Sequence, residues 1–136
     1  LTKRLLIEQE KPTVKTNESH LKAQKALQKM KDNLYSKLPL DVILNSCGVG
    51  YRQISRYLKE KKGESPKQIF MQLKMQEVCR LLKETNYSVT TISLELGFAS
   101  SQHLSTLFKT YYGLTPKQYK EQQKQIYQES IANEKI

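Results

Sequence analysis

The sequence predicts an all-α fold of about seven helices, with two helix-turn-helix units joined by a long linker helix. Three observations predict this fold. Apolar residues recur at helical spacing along most of the chain, glycine and proline fall where one helix would end and the next begin, and a pattern repeats after about fifty residues. No segment shows the apolar–polar alternation of a convincing strand.

The first part of the chain is predicted to lead into the first helix-turn-helix unit. Residues 1–20 are polar and irregular, contain Pro12, and are predicted to form a linker or N-terminal tail. From Leu21 to Leu34, apolar residues fall on one face of a helix. This helix opens a unit that is predicted to cover about residues 21–63.

Two prolines mark further helix starts. Each lies in the same short pattern, Ser65 to Gln68 and Thr115 to Gln118. The hydroxyl residue suits the N-cap, proline suits the first helical position, and glutamine completes a capping box. The first pattern predicts the linker helix, at about residues 66–83. The second pattern lies in the second helix-turn-helix unit, which is predicted to cover about residues 88–120. Residues 121–136 are predicted to form a polar C-terminal extension.

The two patterns lie fifty residues apart, and the residues before them repeat at nearly the same offset. Each unit is predicted to contain a short helix, a turn opened by glycine and a longer helix, the layout of a helix-turn-helix motif. These elements are Asp41–Cys47, Gly48 and Tyr51–Lys62 in the first unit, and Val89–Leu96, Gly97 and Ser101–Tyr112 in the second.

Composition excludes several classes of protein. The 136 residues include 38% hydrophobic residues, enough for a core, and no apolar run reaches the ~20 residues of a membrane helix. With two cysteines and no secretory signal, the chain is expected in a reducing cytoplasm. No spacing of cysteine and histidine suits a metal, and no catalytic constellation is visible. We therefore expect no metal, no cofactor and no enzymatic activity.

The net charge of +10 favours a polyanionic partner. The outer faces of the two longer helices make this partner more specific, because they are donor-rich and carry no acidic residue at the repeated positions. Arginine, glutamine, serine and threonine suit base edges, and lysine suits phosphates. These positions are Arg52, Ser55, Arg56 and Lys59 in the first unit, and Gln102, Ser105, Thr106 and Lys109 in the second.

The linker helix suggests how both faces reach one duplex. Eighteen helical residues span roughly 27 Å. Major grooves on one face of B-DNA recur about every 34 Å. The two reading helices, at about residues 51–62 and 101–112, are therefore expected to enter successive major grooves.

Residues 21–120 resemble the C-terminal DNA-binding domain of the AraC/XylS family of bacterial transcription regulators. The second unit is similar to the family signature through Ile92, Gly97-Phe98, Phe108-Lys109 and the stretch from Gly113 to Tyr119. The first unit matches more loosely, and its matching residues are Arg56, Leu58, Lys59, Gly63, Ser65 and Pro66.

The resemblance implies sequence-specific binding of double-stranded promoter or operator DNA by an activator. Beyond the positions named above, it places Ser101 and His103 among the contacts, and Gln53 completes the candidate set. A solvent-facing or capping role for His103 stays open. Thr106 stands where some members have arginine, which implies weaker binding of phosphate or guanine by the second unit.

The resemblance also concerns the parent protein. Because the chain begins at Leu1 without methionine, we expect a monomeric fragment of a longer regulator. Such a parent is expected to dimerise through a separate domain and to contact RNA polymerase.

Charge differs between the two units. Residues 1–63 carry 14 of the 23 basic residues and 6 of the 13 acidic residues, a net charge of +8. The first unit is therefore predicted to make the stronger, guanine-directed contacts, because arginine binds guanine bidentately. The second unit is predicted to make weaker or adenine- and thymine-directed contacts.

Two other functions remain open from the sequence. A protein that binds RNA or DNA without sequence preference would have the same charge. Helix-turn-helix pairs also serve as protein-interaction modules. The first alternative predicts no preference among duplex sequences, and in the second the helix pairs dock a protein partner.

Overall fold

The computed structural model describes residues 14–134, and side chains from residue 18 onwards. Within this range the chain forms seven α-helices and no strand, which confirms the predicted fold class. None of these helices is both long and apolar enough to span a membrane. The helices are α1 Val14–Asp32, α2 Leu40–Asn45, α3 Tyr51–Lys62, α4 Pro66–Glu84, α5 Val89–Glu95, α6 Ser101–Tyr112 and α7 Pro116–Glu134.

Helices α3 and α6 have the predicted bounds, and the starts of α4 and α7 at proline are also as predicted. Helix α1 is a correction, because residues 14–20, assigned above to a linker, form its first turns. Apart from Val14 these residues are polar, and they lie before Ala23, the first buried side chain described in α1, so no apolar periodicity marks them. The remainder of the predicted linker, residues 1–13, lies outside the described residues.

The C-terminal extension is helical as far as the structure describes it. Helix α7 continues through residues 121–134, which are mostly exposed. This segment contains neither glycine nor proline and is rich in glutamine and glutamate, which favour helix without needing a packed face.

The chain forms two compact units. The first compact unit contains α1, α2, α3 and the start of α4. Helix α1 packs against both α2 and α3. The buried apolar residues of the first compact unit are Ala23, Ala26, Met30, Ile43, Leu44, Val49, Ile54, Leu58, Ile69 and Phe70.

The second compact unit contains the rest of α4, helices α5 to α7, and the short segment 34–37. Its core joins one stripe of α4 to the inward faces of α5 and α6, and Tyr119 of α7 packs edge-on against Phe108 at 5.6 Å. The core residues are Met75, Val78, Leu81, Leu82, Ile92, Leu96, Phe98, Leu104 and Phe108.

Segment 34–37 is fixed to α4 by polar contacts. The Tyr35 hydroxyl donates to the Glu77 carboxylate, and Arg80 donates two hydrogen bonds of 2.8 Å to the same carboxylate. The Arg80 guanidinium lowers the pKa of Glu77. Burial and the bond to Glu77 raise the pKa of Tyr35 to about 12.

Both capping boxes form as predicted. The Gln68 side chain accepts from the Ser65 amide at 2.8 Å, and Ser65 Oγ accepts from the Gln68 amide at 3.2 Å. Thr115 and Gln118 make the same two bonds at 2.9 and 3.2 Å. The helix preceding each box ends at a glycine in the left-handed conformation, Gly63 or Gly113, which side chains rarely adopt. The same arrangement of a glycine helix end followed by a capping box therefore occurs once in each half of the repeat.

The sequence repeat is accompanied by a repeat in side-chain burial. Along the 12 residues of α3 and of α6, buried, half-buried and exposed positions follow one another in the same order. The two helices therefore present the same face to their own cores and the same face to solvent.

The two helices start differently. Gly50 precedes α3 and offers no side-chain cap, whereas Ser100 caps α6. Gly50 has φ −67° and ψ 130°, and an added Cβ would meet only Gln53 Cβ, at 3.9 Å. We therefore expect Gly50→Ser to raise the free energy of unfolding by about 0.5–1 kcal/mol. Urea unfolding monitored by circular dichroism measures this change.

Gly50→Ala is the matched control, because alanine restricts the unfolded chain without supplying a cap. The serine variant should exceed the alanine variant in stability. Equal stability of the two variants would contradict the assignment of Gly50 as an uncapped helix start.

Candidate nucleic-acid interface

Helix α3 presents the predicted candidate residues on its outer face. Ile54 and Leu58, both 1% exposed, hold the opposite face in the core of the first compact unit. Since these two residues are one turn apart, they fix the rotation of the helix about its axis. Of the candidates, Arg52, Gln53, Arg56 and Lys59 are exposed, and Ser55 is half-buried.

Helix α6 repeats this arrangement in the second compact unit. Leu104 and Phe108 are fully buried, in the same register as Ile54 and Leu58. Of the candidates on this helix, Gln102, His103, Thr106 and Lys109 are exposed, and Ser101 and Ser105 are half-buried. The structure thus places the candidates on one outer face in each unit.

The cationic groups of α3 are available for an external anion. Among residues 14–134, no hydrogen bond or ion pair engages the side chains of Arg52, Arg56 or Lys59. Each guanidinium carries five N–H donors in a planar fork that matches paired acceptors. Glu60 lines the same surface depression as Arg52 and Arg56, so this face also holds an acidic residue outside the repeated positions.

The hydroxyl groups of α6 are partly occupied. Thr106 Oγ1 donates to the Gln102 carbonyl at 3.0 Å, and Thr110 Oγ1 donates to the Thr106 carbonyl at 3.0 Å. These hydroxyl protons therefore point to the helix backbone. The sequence suggested the Thr106 hydroxyl as a donor and did not single out Thr110, but a helix offers threonine a carbonyl four residues back.

The start of α6 is held by residues that the candidate set omitted. Ser100 Oγ accepts from the His103 amide at 3.0 Å. The His103 ring lies edge-on to Phe98 at 6.3 Å between centroids, and Lys74 Nζ lies 5.6 Å from the centre of the Phe98 ring. Burial lowers the pKa of Lys74. The serine before α6 is a sequence signal for the cap, whereas the contacts of Phe98 have no such signal.

The arrangement suits binding of an anion or a polar surface. In the part of the chain that the structure describes, no three histidine, cysteine, aspartate or glutamate residues cluster as metal ligands. The two outer faces offer hydrogen-bond donors and positive charge, the groups that proteins use to contact phosphates and base edges.

Comparison with known proteins identifies similar chains. Residues 43–122 match a family model described as a helix-turn-helix domain. The chain is 29% identical over 106 residues to the HTH-type transcriptional regulator ArgR of Pseudomonas aeruginosa, a match that covers 78% of this chain and 32% of ArgR. It is 32% identical over 91 residues to the multiple antibiotic resistance protein MarA of Salmonella typhimurium, covering 67% of this chain and 72% of MarA.

A solved structure shows the same fold. The crystal structure of a transcriptional regulator from Chromobacterium violaceum, described as AraC-type DNA-binding domain-containing, matches with a TM-score of 0.72 and 29% identity. The match covers 79% of this chain and 96% of that one. By contrast, the chain spans only about a third of the length of ArgR.

The cap of α6 is a testable feature of this surface. Ser100→Ala removes the acceptor for the His103 amide, so we expect the free energy of unfolding to fall by about 1 kcal/mol. Hydrogen exchange at the first amides of α6 and urea unfolding measure the effect. Ser100→Asp keeps an acceptor and should retain stability. An alanine variant as stable as the native chain would show that the cap contributes nothing.

Proposed function

Because this chain belongs to the AraC/XylS family of helix-turn-helix regulators, we propose that it binds double-stranded DNA in a sequence-specific manner. Helices α3 and α6 are the reading helices in this proposal, and each enters a major groove. The observation that supports it best is their common burial pattern, which exposes donor-rich side chains at the same positions twice.

The proposed contacts of α3 follow from its two arginines. Arg52 and Arg56 are four residues apart and lie on one exposed stripe of the helix. Each can donate two hydrogen bonds to O6 and N7 of guanine. Lys59, one turn further along, is placed to bind a phosphate, and Gln53 and Ser55 complete the contacts of this helix.

The proposed contacts of α6 are less charged. Gln102 can pair with N6 and N7 of adenine, and Lys109 can bind a phosphate. His103 is held against Phe98, with its exposed edge free to meet the DNA surface. Ser101, Ser105 and Thr106 complete the set. Helix α6 has one basic residue and α3 has five, so α6 is expected to contribute less of the non-specific attraction.

For the whole regulator, we propose an activator that works in a bacterial cytoplasm. Residues 21–120 would form its DNA-binding domain and bind as a monomer when separate. In ArgR the matched region is about a third of the protein, and the other two thirds offer a place for a further domain. Dimerisation through that domain and contact with RNA polymerase belong to the same proposal.

Selection from a random duplex library tests the DNA-binding proposal. We expect the retained pool to be enriched in a two-part motif with half-sites about one helical turn apart, since two reading helices would occupy successive grooves. A pool without enrichment would contradict sequence-specific binding. Equal retention of unrelated RNA and DNA would favour a non-specific nucleic-acid-binding protein. A chain that retains no nucleic acid would favour a protein-interaction module.

The contribution of each helix is tested on the selected duplex. We expect Arg56→Ala to weaken binding by ~1–3 kcal/mol and to relax the preference at one position, because a bidentate guanine contact is lost. Lys59→Ala should instead weaken binding to all duplexes alike and reduce its salt dependence. Titrations at several salt concentrations measure both effects.

Lys124→Ala is the control, because it removes one exposed positive charge from α7 and none from a reading helix. It should change affinity less than either variant of α3. If Arg52→Ala and Arg56→Ala both bind like the native chain while Gln102→Ala abolishes binding, the assignment of the stronger contacts to α3 is wrong.

A further inference from the structure

The two reading helices differ along one matched stripe. On α3 the stripe consists of Arg52, Arg56 and Glu60, whereas the positions fifty residues later on α6 are Gln102, Thr106 and Thr110. All six residues are exposed. The same face therefore carries charged groups in one helix and uncharged groups in the other.

The hydroxyl groups of both threonines on this stripe donate hydrogen bonds to the helix backbone. Thr106 donates to the Gln102 carbonyl and Thr110 to the Thr106 carbonyl, each at 3.0 Å. Because threonine branches at Cβ, an oxygen bound in this way leaves the γ-methyl as the other branch of the side chain. Helix α6 thus presents two methyl groups, one turn apart, on its exposed stripe.

We propose that Thr106 and Thr110 recognise thymine through contact between their γ-methyl groups and the C5-methyl of the base. This inference rests on the proposed function and adds the base that α6 selects. Thymine is the base that carries a methyl group in the major groove, and threonine methyls are suitable partners for it. Gln102 continues the stripe with an amide that suits adenine, so the second half-site is rich in A·T pairs.

A competing role for these side chains is hydrogen bonding. A hydroxyl that donates to a carbonyl keeps lone pairs, which accept from N6 of adenine or N4 of cytosine. The two roles depend on different atoms of the same residue. Removing the methyl or the hydroxyl separately therefore distinguishes them.

The experiment uses the selected duplex and three forms of the chain. Thr106→Ser keeps the hydroxyl and removes the methyl, and Thr106→Val keeps the methyl and removes the hydroxyl. We expect the serine variant to bind about 3- to 5-fold more weakly, which corresponds to one buried methyl, and the valine variant to bind like the native chain. Thermal unfolding confirms that each variant is folded.

The DNA supplies the complementary change. Deoxyuridine in place of thymidine in the second half-site removes only the C5-methyl. This substitution should weaken binding of the native chain by a similar factor. The native chain and the serine variant should then have equal affinities for the deoxyuridine duplex. Deoxyuridine in the first half-site should leave the ratio of the affinities of the native chain and the serine variant unchanged. Thr90→Ser, on the exposed side of α5, is the control for the protein change.

The outcomes separate this inference from the proposed function. If valine weakens binding and serine does not, the hydroxyl makes the contact and the methyl proposal is wrong. If deoxyuridine and both variants leave affinity unchanged while Arg56→Ala still lowers it, the chain binds DNA without reading thymine through these residues. If no duplex is enriched by selection, the proposed function itself fails.

Discussion

Burial of two apolar side chains per reading helix, spaced one turn apart, is the constraint on which the rest of the structure depends. Ile54 and Leu58 in α3, and Leu104 and Phe108 in α6, are 0–1% exposed. Each such burial is worth about 1.5–3 kcal/mol, so rotation by one residue would expose these side chains and bury polar ones at a large cost. The outer face is therefore determined by the core. The candidate site needs no separate positioning device beyond this register.

On this common frame, the two helices differ in how their outer faces are organised. The face of α3 relies on charge: its arginine and lysine side chains have no bond to another described residue, and its first turn lacks a side-chain cap. The face of α6 relies on order, since Ser100 caps its start, Phe98 supports His103, and two threonines bond to the backbone. In the proposed function, the arginines of α3 pair with guanine and its lysine binds a phosphate, whereas the uncharged groups of α6 contact adenine and thymine. The same fold thus carries two outer faces of different chemistry.

The second compact unit includes residues 34–37, which in the sequence come between α1 and α2 of the first compact unit. Residues 34–37 belong to it because Leu34 packs against its core and Tyr35 donates to Glu77, 42 residues away along the chain. Lys37 has φ 62°, a left-handed conformation that is uncommon for a residue with a side chain. A backbone held in this way is over-determined by its surroundings. The apolar spacing of the sequence placed Leu34 at the end of the first predicted helix, whereas the helix ends at Asp32 and Leu34 packs against the core of the second compact unit.

The sequence by itself determined the features that depend on residues within one or two helical turns. The bounds of α3 and α6, both capping boxes, the glycine helix ends and the inward register follow from local hydrogen bonds, allowed φ angles and apolar spacing. The prediction from sequence missed the first turns of α1 and did not identify residues 121–134 of α7 as helix, because polar helices lack periodic apolar residues. Only the tertiary structure decided that segment 34–37 joins α4 and that the Phe98 ring lies close to both Lys74 and His103. These contacts join residues far apart in the chain, and they form only after the core has brought their helices together.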